Sequence, residues 1–96
     1  MKVIFSPRAQ RSLDSIEAYL IERNPSAAMR VTDRIVGMAE VLADHPLMGR
    51  DYDGANRVFA VPRSRYRIFY RVRKKAGVVE VLTIAHSSQL PPSFGG

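Results

Sequence analysis

From Arg63 to Arg73 the chain reads Arg-Ser-Arg-Tyr-Arg-Ile-Phe-Tyr-Arg-Val-Arg, so every second residue is an arginine except Phe69. A guanidinium fork binds carboxylate or phosphate bidentately, and alternate residues of a strand share one face. Arg63, Arg65, Arg67, Arg71 and Arg73, with Phe69 among them, are therefore the candidate binding residues. A merely solvated sheet face also holds arginines. Yet no Asp or Glu occurs from Ala55 to Val79, and like charges two residues apart repel unless something neutralises them. The row implies a polyanionic or acidic partner.

Acid–base chemistry has fewer candidates. His45 precedes Pro46 at the expected end of a helix, where a cation suits the dipole, and capping is the better reading. His86 closes an expected strand in Ile84-Ala85-His86-Ser87-Ser88. Metal-free RNA cleavage needs a base for the 2′-hydroxyl, an acid for the leaving oxygen and cations on the phosphate. His86, Tyr66 or Tyr70, and Arg67 could fill those roles if the fold brings them together. Asp51-Tyr52-Asp53-Gly54 resembles part of a calcium loop, but Pro62 stands where its closing Glu belongs. Two distant histidines without cysteine make no zinc motif. The glycine patterns of dinucleotide sites, phosphate loops and nucleophile elbows are absent. Neither a metal nor a cofactor is expected.

The elements that must position these residues follow from pattern. The 96 residues, 46% hydrophobic and 25% charged, suit one folded domain over 1–90 with a flexible tail over 91–96. The net charge of +6 is unevenly placed: residues 1–49 carry six basic and six acidic side chains, whereas 50–96 carry nine and three. No apolar run is long enough to span a bilayer. The amino end reaches Ser6-Pro7-Arg8 too soon for a signal peptide. The absence of Cys removes disulfides and thiolate chemistry, and a cytoplasmic location fits.

Val3-Ile4-Phe5 reads as a first strand. Ser6-Pro7 and Asn24-Pro25 each pair a side-chain cap with proline at the first helical position. After them Ala9, Leu13, Ile16 and Leu20, then Ala28, Val31, Ile35, Met38 and Leu42, recur at helical spacing. Two helices joined at Asn24 must form an antiparallel hairpin. Gly37 lies mid-helix at a cost of about 1 kcal/mol relative to Ala, and close approach of another backbone is the expected reason. Residues 47–56 read as a loop. Strands are expected at 57–61, 66–72 and 78–85, with turns at 62–65 and 74–77. The order β-α-α-β-β-β predicts an α+β fold: a helical hairpin on one face of a small, mostly antiparallel sheet. In the middle strand Tyr66, Ile68, Tyr70 and Val72 face the helices, leaving the arginines outside. The expected core is Ala9, Leu13, Ile16, Leu20, Val31, Ile35, Leu42, Ile68, Tyr70, Leu82 and Ile84.

Taken in order, these segments resemble the ParE branch of the RelE/ParE toxin superfamily. The likeness rests on Val-Ile-Phe-Ser-Pro-Arg-Ala at the start, Leu13-Asp14-Ser15-Ile16-Glu17-Ala18-Tyr19-Leu20, and Asn24-Pro25-Ser26-Ala27-Ala28. Leu42 to Arg50, Tyr66 to Val72 and the strand ending in His86 complete it. The resemblance implies the toxin of a bacterial type II toxin–antitoxin module, neutralised by a small antitoxin with an acidic tail and a DNA-binding part that reaches operator DNA. It also implies inhibition of DNA gyrase and growth arrest, with no chemistry of the toxin's own. The alternative it carries is a ribosome-dependent, metal-independent mRNA endonuclease of RelE type using Arg67 and His86. A third reading is a non-toxic member acting only in the antitoxin and operator complex. Many relatives place an arginine three residues after the strand-end histidine. Gln89 stands there instead, and the tail lacks the basic and tyrosine residues of the ribonuclease branch. These departures favour the gyrase reading.

Overall fold

The computed structural model describes residues 1–94. In chain order the elements are β1 (Lys2–Phe5), α1 (Pro7–Arg23), α2 (Pro25–Asp44), β2 (Arg50–Asp51), β3 (Arg57–Ala60), β4 (Tyr66–Arg73) and β5 (Val78–His86). The strands form one mixed sheet in the order β1-β5-β4-β3-β2. Only the β1–β5 ladder among them is parallel. The arginine-bearing strand β4 is thus central, and both helices pack on one face.

Caps set the helix boundaries. The Ser6 hydroxyl accepts from the Ala9 N–H at 3.0 Å and donates to the Leu82 carbonyl at 2.9 Å, starting α1 and tying it to β5. Asn24 serves both helices. Its N–H donates to Leu20 at the end of α1, and its side-chain oxygen accepts from Ala27 at the start of α2. His45 closes α2 through its backbone N–H, which donates to the Val41 carbonyl at 2.9 Å.

Between helices and sheet lie Ala9, Ile35, Ala39, Leu42, Val61, Ile68, Tyr70, Val79, Val81 and Ile84, with Leu13, Ile16 and Val31 partly buried beside them. Each fully buried large apolar side chain stabilises the fold by about 1.5–3 kcal/mol. On α2 the buried stripe runs through Ala28, Thr32, Ile35, Ala39 and Leu42. Its small side chains let the helix lie close to its neighbours, and expected Val31 and Met38 flank it.

Three expectations need correction. Gly37 is not approached by another backbone: a Cβ built there meets nothing within 4 Å among the described residues. It stands about 200° around the helix from both Ile35 and Ala39, off the buried stripe. The glycine under close approach is Gly49, where a Cβ would sit 2.6 Å from the Tyr70 hydroxyl and 2.8 Å from the Val58 carbonyl. Leu82 is only partly buried, because the β4–β5 ladder skips it: Phe69 pairs with Thr83 and Tyr70 with Val81. The extra residue of that bulge has no partner on β4. Finally, residues 50–51, expected within a loop, form the short edge strand β2 on β3.

Candidate functional site

The sheet's second face, opposite the helices, carries most of the arginine row. Registers pair Ala60 with Arg67, Val58 with Phe69, and Arg71 with Glu80. Phe69 is fully buried on this face, together with Val58 and Ala85. Tyr52, from the loop before β3, stands edge-on to it with ring centroids 4.8 Å apart. Phe94 covers it beside Tyr52, with ring centroids 5.9 Å from Phe69 and 6.1 Å from Tyr52. The single aromatic of the row is therefore the floor of a small apolar cluster roofed by two touching rings.

The tail segment 91–94 lies along this cluster. The Tyr52 hydroxyl donates to the Pro92 carbonyl, and the Arg8 guanidinium donates to Ser93 at 3.3 Å and sits 5.1 Å from the Phe94 ring centre. Residues 95 and 96 of the expected tail lie outside the described residues.

The arginines fall into three environments. Arg71 donates to Glu80 at 2.7 Å, and Arg73 lies 3.7 Å from the same carboxylate. Glu80 is the neutralising partner missing from the β4 sequence, and it comes from across the hairpin. Arg67 stacks its guanidinium 5.6 Å from the Phe69 ring centre. The Nε atoms of Arg67 and Arg71 are buried with no hydrogen-bond partner among the described residues. Arg63 and Arg65 belong to the β3–β4 turn and its exit. The Arg63 backbone is left-handed at φ 58, and its carbonyl accepts from Arg34 on α2 at 3.2 Å.

His86 is on the other side. It pairs with Tyr66, whose ring it meets edge-on at 5.3 Å, and Tyr66 faces the helices. Arg67 pairs with Ala85, on the second face. The two residues named for RNA cleavage thus point to opposite faces of the sheet. Tyr70 is also unavailable for proton transfer. It is fully buried, and its hydroxyl donates to the Pro46 carbonyl at 2.8 Å and accepts from the Gly49 N–H at 2.9 Å.

The His86 ring is held by its own turn. The Ser88 N–H donates to Nδ1 at 3.1 Å, so the neutral ring carries its proton on Nε2. The Gln89 side chain accepts from the His86 N–H at 2.6 Å, closing the strand end. His86 borders an open cavity of about 490 Å³ between α1, the start of α2, the β3–β4 turn and the end of β5. Burial pushes the Tyr66 phenol above its ordinary value, and neighbouring Tyr19 adds to the shift. In the loop over the second face, Asp53 accepts from the Asn56 amide side chain and from the Ala55 and Asn56 N–H groups. These bonds, that of the Asn56 side chain foremost, hold its carboxyl below the usual range. The loop's acidic residues close a turn.

Sequence reasoning missed Glu80, Tyr52, Phe94, Tyr19 and Ser88. Only Glu80 left a signal: the turn at 74–77 sets a hairpin register that places it opposite Arg71. The others depend on how loop and tail cross the sheet.

This arrangement has counterparts among known proteins. The family model described as the ParE toxin of the type II toxin–antitoxin system parDE matches residues 3–91. The protein Y4kP of Sinorhizobium fredii is 35% identical over 92 residues, covering 95% of this chain and 93% of its own. Toxin RelE3 of Caulobacter vibrioides is 34% identical over 85 residues, covering 88% and 92%. Among solved structures, the chromosomal ParDE system from P. aeruginosa aligns with a TM-score of 0.78 at 20% identity, over 90% of this chain and 95% of that one. The RelBE2 toxin–antitoxin complex of Mycobacterium tuberculosis gives 0.63 at 22%, over 88% of each. At such identities the structural likeness speaks for the fold. The chain belongs to the ParE toxin family, within the RelE/ParE superfamily, and is the toxin of a type II toxin–antitoxin system.

Proposed function

We propose that this toxin is neutralised by a small antitoxin whose acidic segment lies along Arg63, Arg65, Arg67, Arg71 and Arg73, on either side of the buried Phe69. When free it inhibits DNA gyrase and arrests growth, with no bond-breaking chemistry of its own. The antitoxin's DNA-binding part brings the pair to operator DNA, and the proteins act in the cytoplasm. The observation that carries the reading is the division of the sheet. Arg67, Arg71 and Arg73 stand on one face, whereas the histidine stands on the other with its Nδ1 occupied by Ser88. A base and a phosphate-binding cation must reach one scissile group within hydrogen-bond distance, about 2.6–3.2 Å. Arg67 and His86 do not share such a point. A face rich in arginine with one carboxylate suits an acidic peptide.

The second reading, a ribosome-dependent mRNA endonuclease, is favoured by the relative named RelE3. Expression without the neighbouring small reading frame separates the two. Growth arrest with gyrase-linked DNA breaks and intact mRNA is expected. Codon-positioned mRNA cuts abolished by Arg67→Ala would sink the gyrase reading. Normal growth, with a tight complex to the neighbouring frame's product, would leave a member that acts only in the antitoxin and operator complex.

A further inference from the structure

The cavity beside His86 is not used by the arginine face. Its floor is aliphatic, made by Ile16 and Leu20 of α1 and Val31 of α2, and aromatic side chains of Tyr19 and Tyr66 wall it. Tyr19 remains 53% exposed although it is one of the larger apolar surfaces on α1. No carboxylate lines this space, whereas Arg65 does. The Arg65 guanidinium has no hydrogen-bond or ion-pair partner among the described residues, and neither has His86 Nε2. Arg23 adds a second cation outside the lining, stacked 3.7 Å from the Tyr19 ring centre.

An apolar hollow rimmed by unpaired donors marks an interaction site. Its chemistry selects the occupant. The floor is aliphatic. Of the polar lining residues, Ser64 is bonded to the Val61 carbonyl and Ser88 to His86, Ser15 and Gln89 are neutral, and Arg65 is the one permanent cation. A phosphate dianion calls for several fixed donors at its own depth. A large apolar side chain with a carboxylate beside it matches both floor and rim. Arg65 also stands where the row leaves the turn for β4, so a segment paired along that row reaches the cavity at its end.

We propose that this cavity is an anchor pocket for one aromatic or large aliphatic side chain of an acidic partner peptide, with the adjacent carboxylate on Arg65 and the His86 Nε2–H. The proposal rests on the reading that an acidic segment is the partner, and it adds a second attachment point on the opposite side of the sheet. Anchors of this kind carry most of the energy of a peptide interface.

The chain contains no tryptophan, so the indole of a peptide probe emits without background. The probe is a capped hexapeptide with tryptophan between two aspartates, compared with the same peptide carrying two asparagines. Its emission should shift to the blue on addition of the toxin. Tyr19→Ala, at an exposed helix position, should weaken the acidic peptide by about tenfold, the scale of an anchor contact. Arg65→Gln should weaken it by about two- to fivefold, as for an exposed ion pair, and leave the asparagine peptide unchanged. Lys75→Gln, in the far hairpin turn, should change neither. Equal binding of the two peptides, wild-type affinity in both Tyr19→Ala and Arg65→Gln, or displacement by adenosine monophosphate would each overturn the proposal. The partner reading fails separately. Peptide capture in the cavity with no complex to the neighbouring frame's product removes the antitoxin but keeps the site. An antitoxin bound equally well by wild type, Tyr19→Ala and Arg65→Gln removes the site but keeps the antitoxin.

Discussion

Removing one oxygen atom from the middle of the sheet tests how the loop after α2 is held. The Tyr70 hydroxyl is the shared partner of two backbone groups, the Pro46 carbonyl at 2.8 Å and the Gly49 N–H at 2.9 Å. Tyr70→Phe keeps the ring and orphans both. A buried polar group without a partner costs about 1–3 kcal/mol. Gly49 is buried and Pro46 half-buried, so the expected loss is about 2–4 kcal/mol. Urea unfolding followed by far-ultraviolet circular dichroism measures it, with the midpoint falling and the slope unchanged. A loss below about 1 kcal/mol would mean that water or a loop shift satisfies both groups, refuting the reasoning. A second readout is independent of that magnitude. Burial raises the Tyr70 phenol above 10.0, while the Gly49 N–H and the Arg57 charge pull it back by less. A raised value means the folded state binds the proton more tightly, so the contribution is complete below pH 10 or so and is lost as pH rises through the folded value. Wild type should therefore lose stability in alkali, and Tyr70→Phe should lose less of it. Tyr66, also raised, leaves a residual slope.

Three further perturbations follow from the same geometry. Gly37→Ala should stabilise the protein by about 0.5–1 kcal/mol, because its Cβ meets open space; a lower melting temperature would contradict this. Glu80→Gln should cost no more than about 1 kcal/mol, since the side chains of Arg71 and Arg73 are 42% and 49% exposed. That cost should shrink in high salt, and a large salt-independent loss in thermal melts would show a role beyond ion pairing. Phe94→Ala should uncover Phe69 and lower stability by about 1–3 kcal/mol from its two ring contacts, with a weaker near-ultraviolet signal; an unchanged spectrum would place the tail off the sheet.

Much of this molecule is written in short-range pattern. Ser6 and Asn24, each followed by proline, mark both helix starts, because capping involves residues three apart and needs no distant partner. Alternation along Tyr66 to Val72 shows which side of β4 meets the helices, since a strand's side chains have a period of two whatever surrounds them. The arginine excess is legible for the same reason. Tertiary structure decided the rest. Whether the row stays unneutralised depends on the hairpin register that brings Glu80 to Arg71. Which residues share a site depends on strand pairing, and pairing puts His86 with Tyr66 but Arg67 with Ala85. Leu82 loses its place in the core to a bulge that no local pattern announces. Phe69, read as the centre of an exposed row, is buried because Tyr52 and Phe94 arrive over it from 17 and 25 residues away. Local free energies select the elements. The packing of elements distant in sequence decides which side chains meet, so the charge was readable from the chain and the site was not.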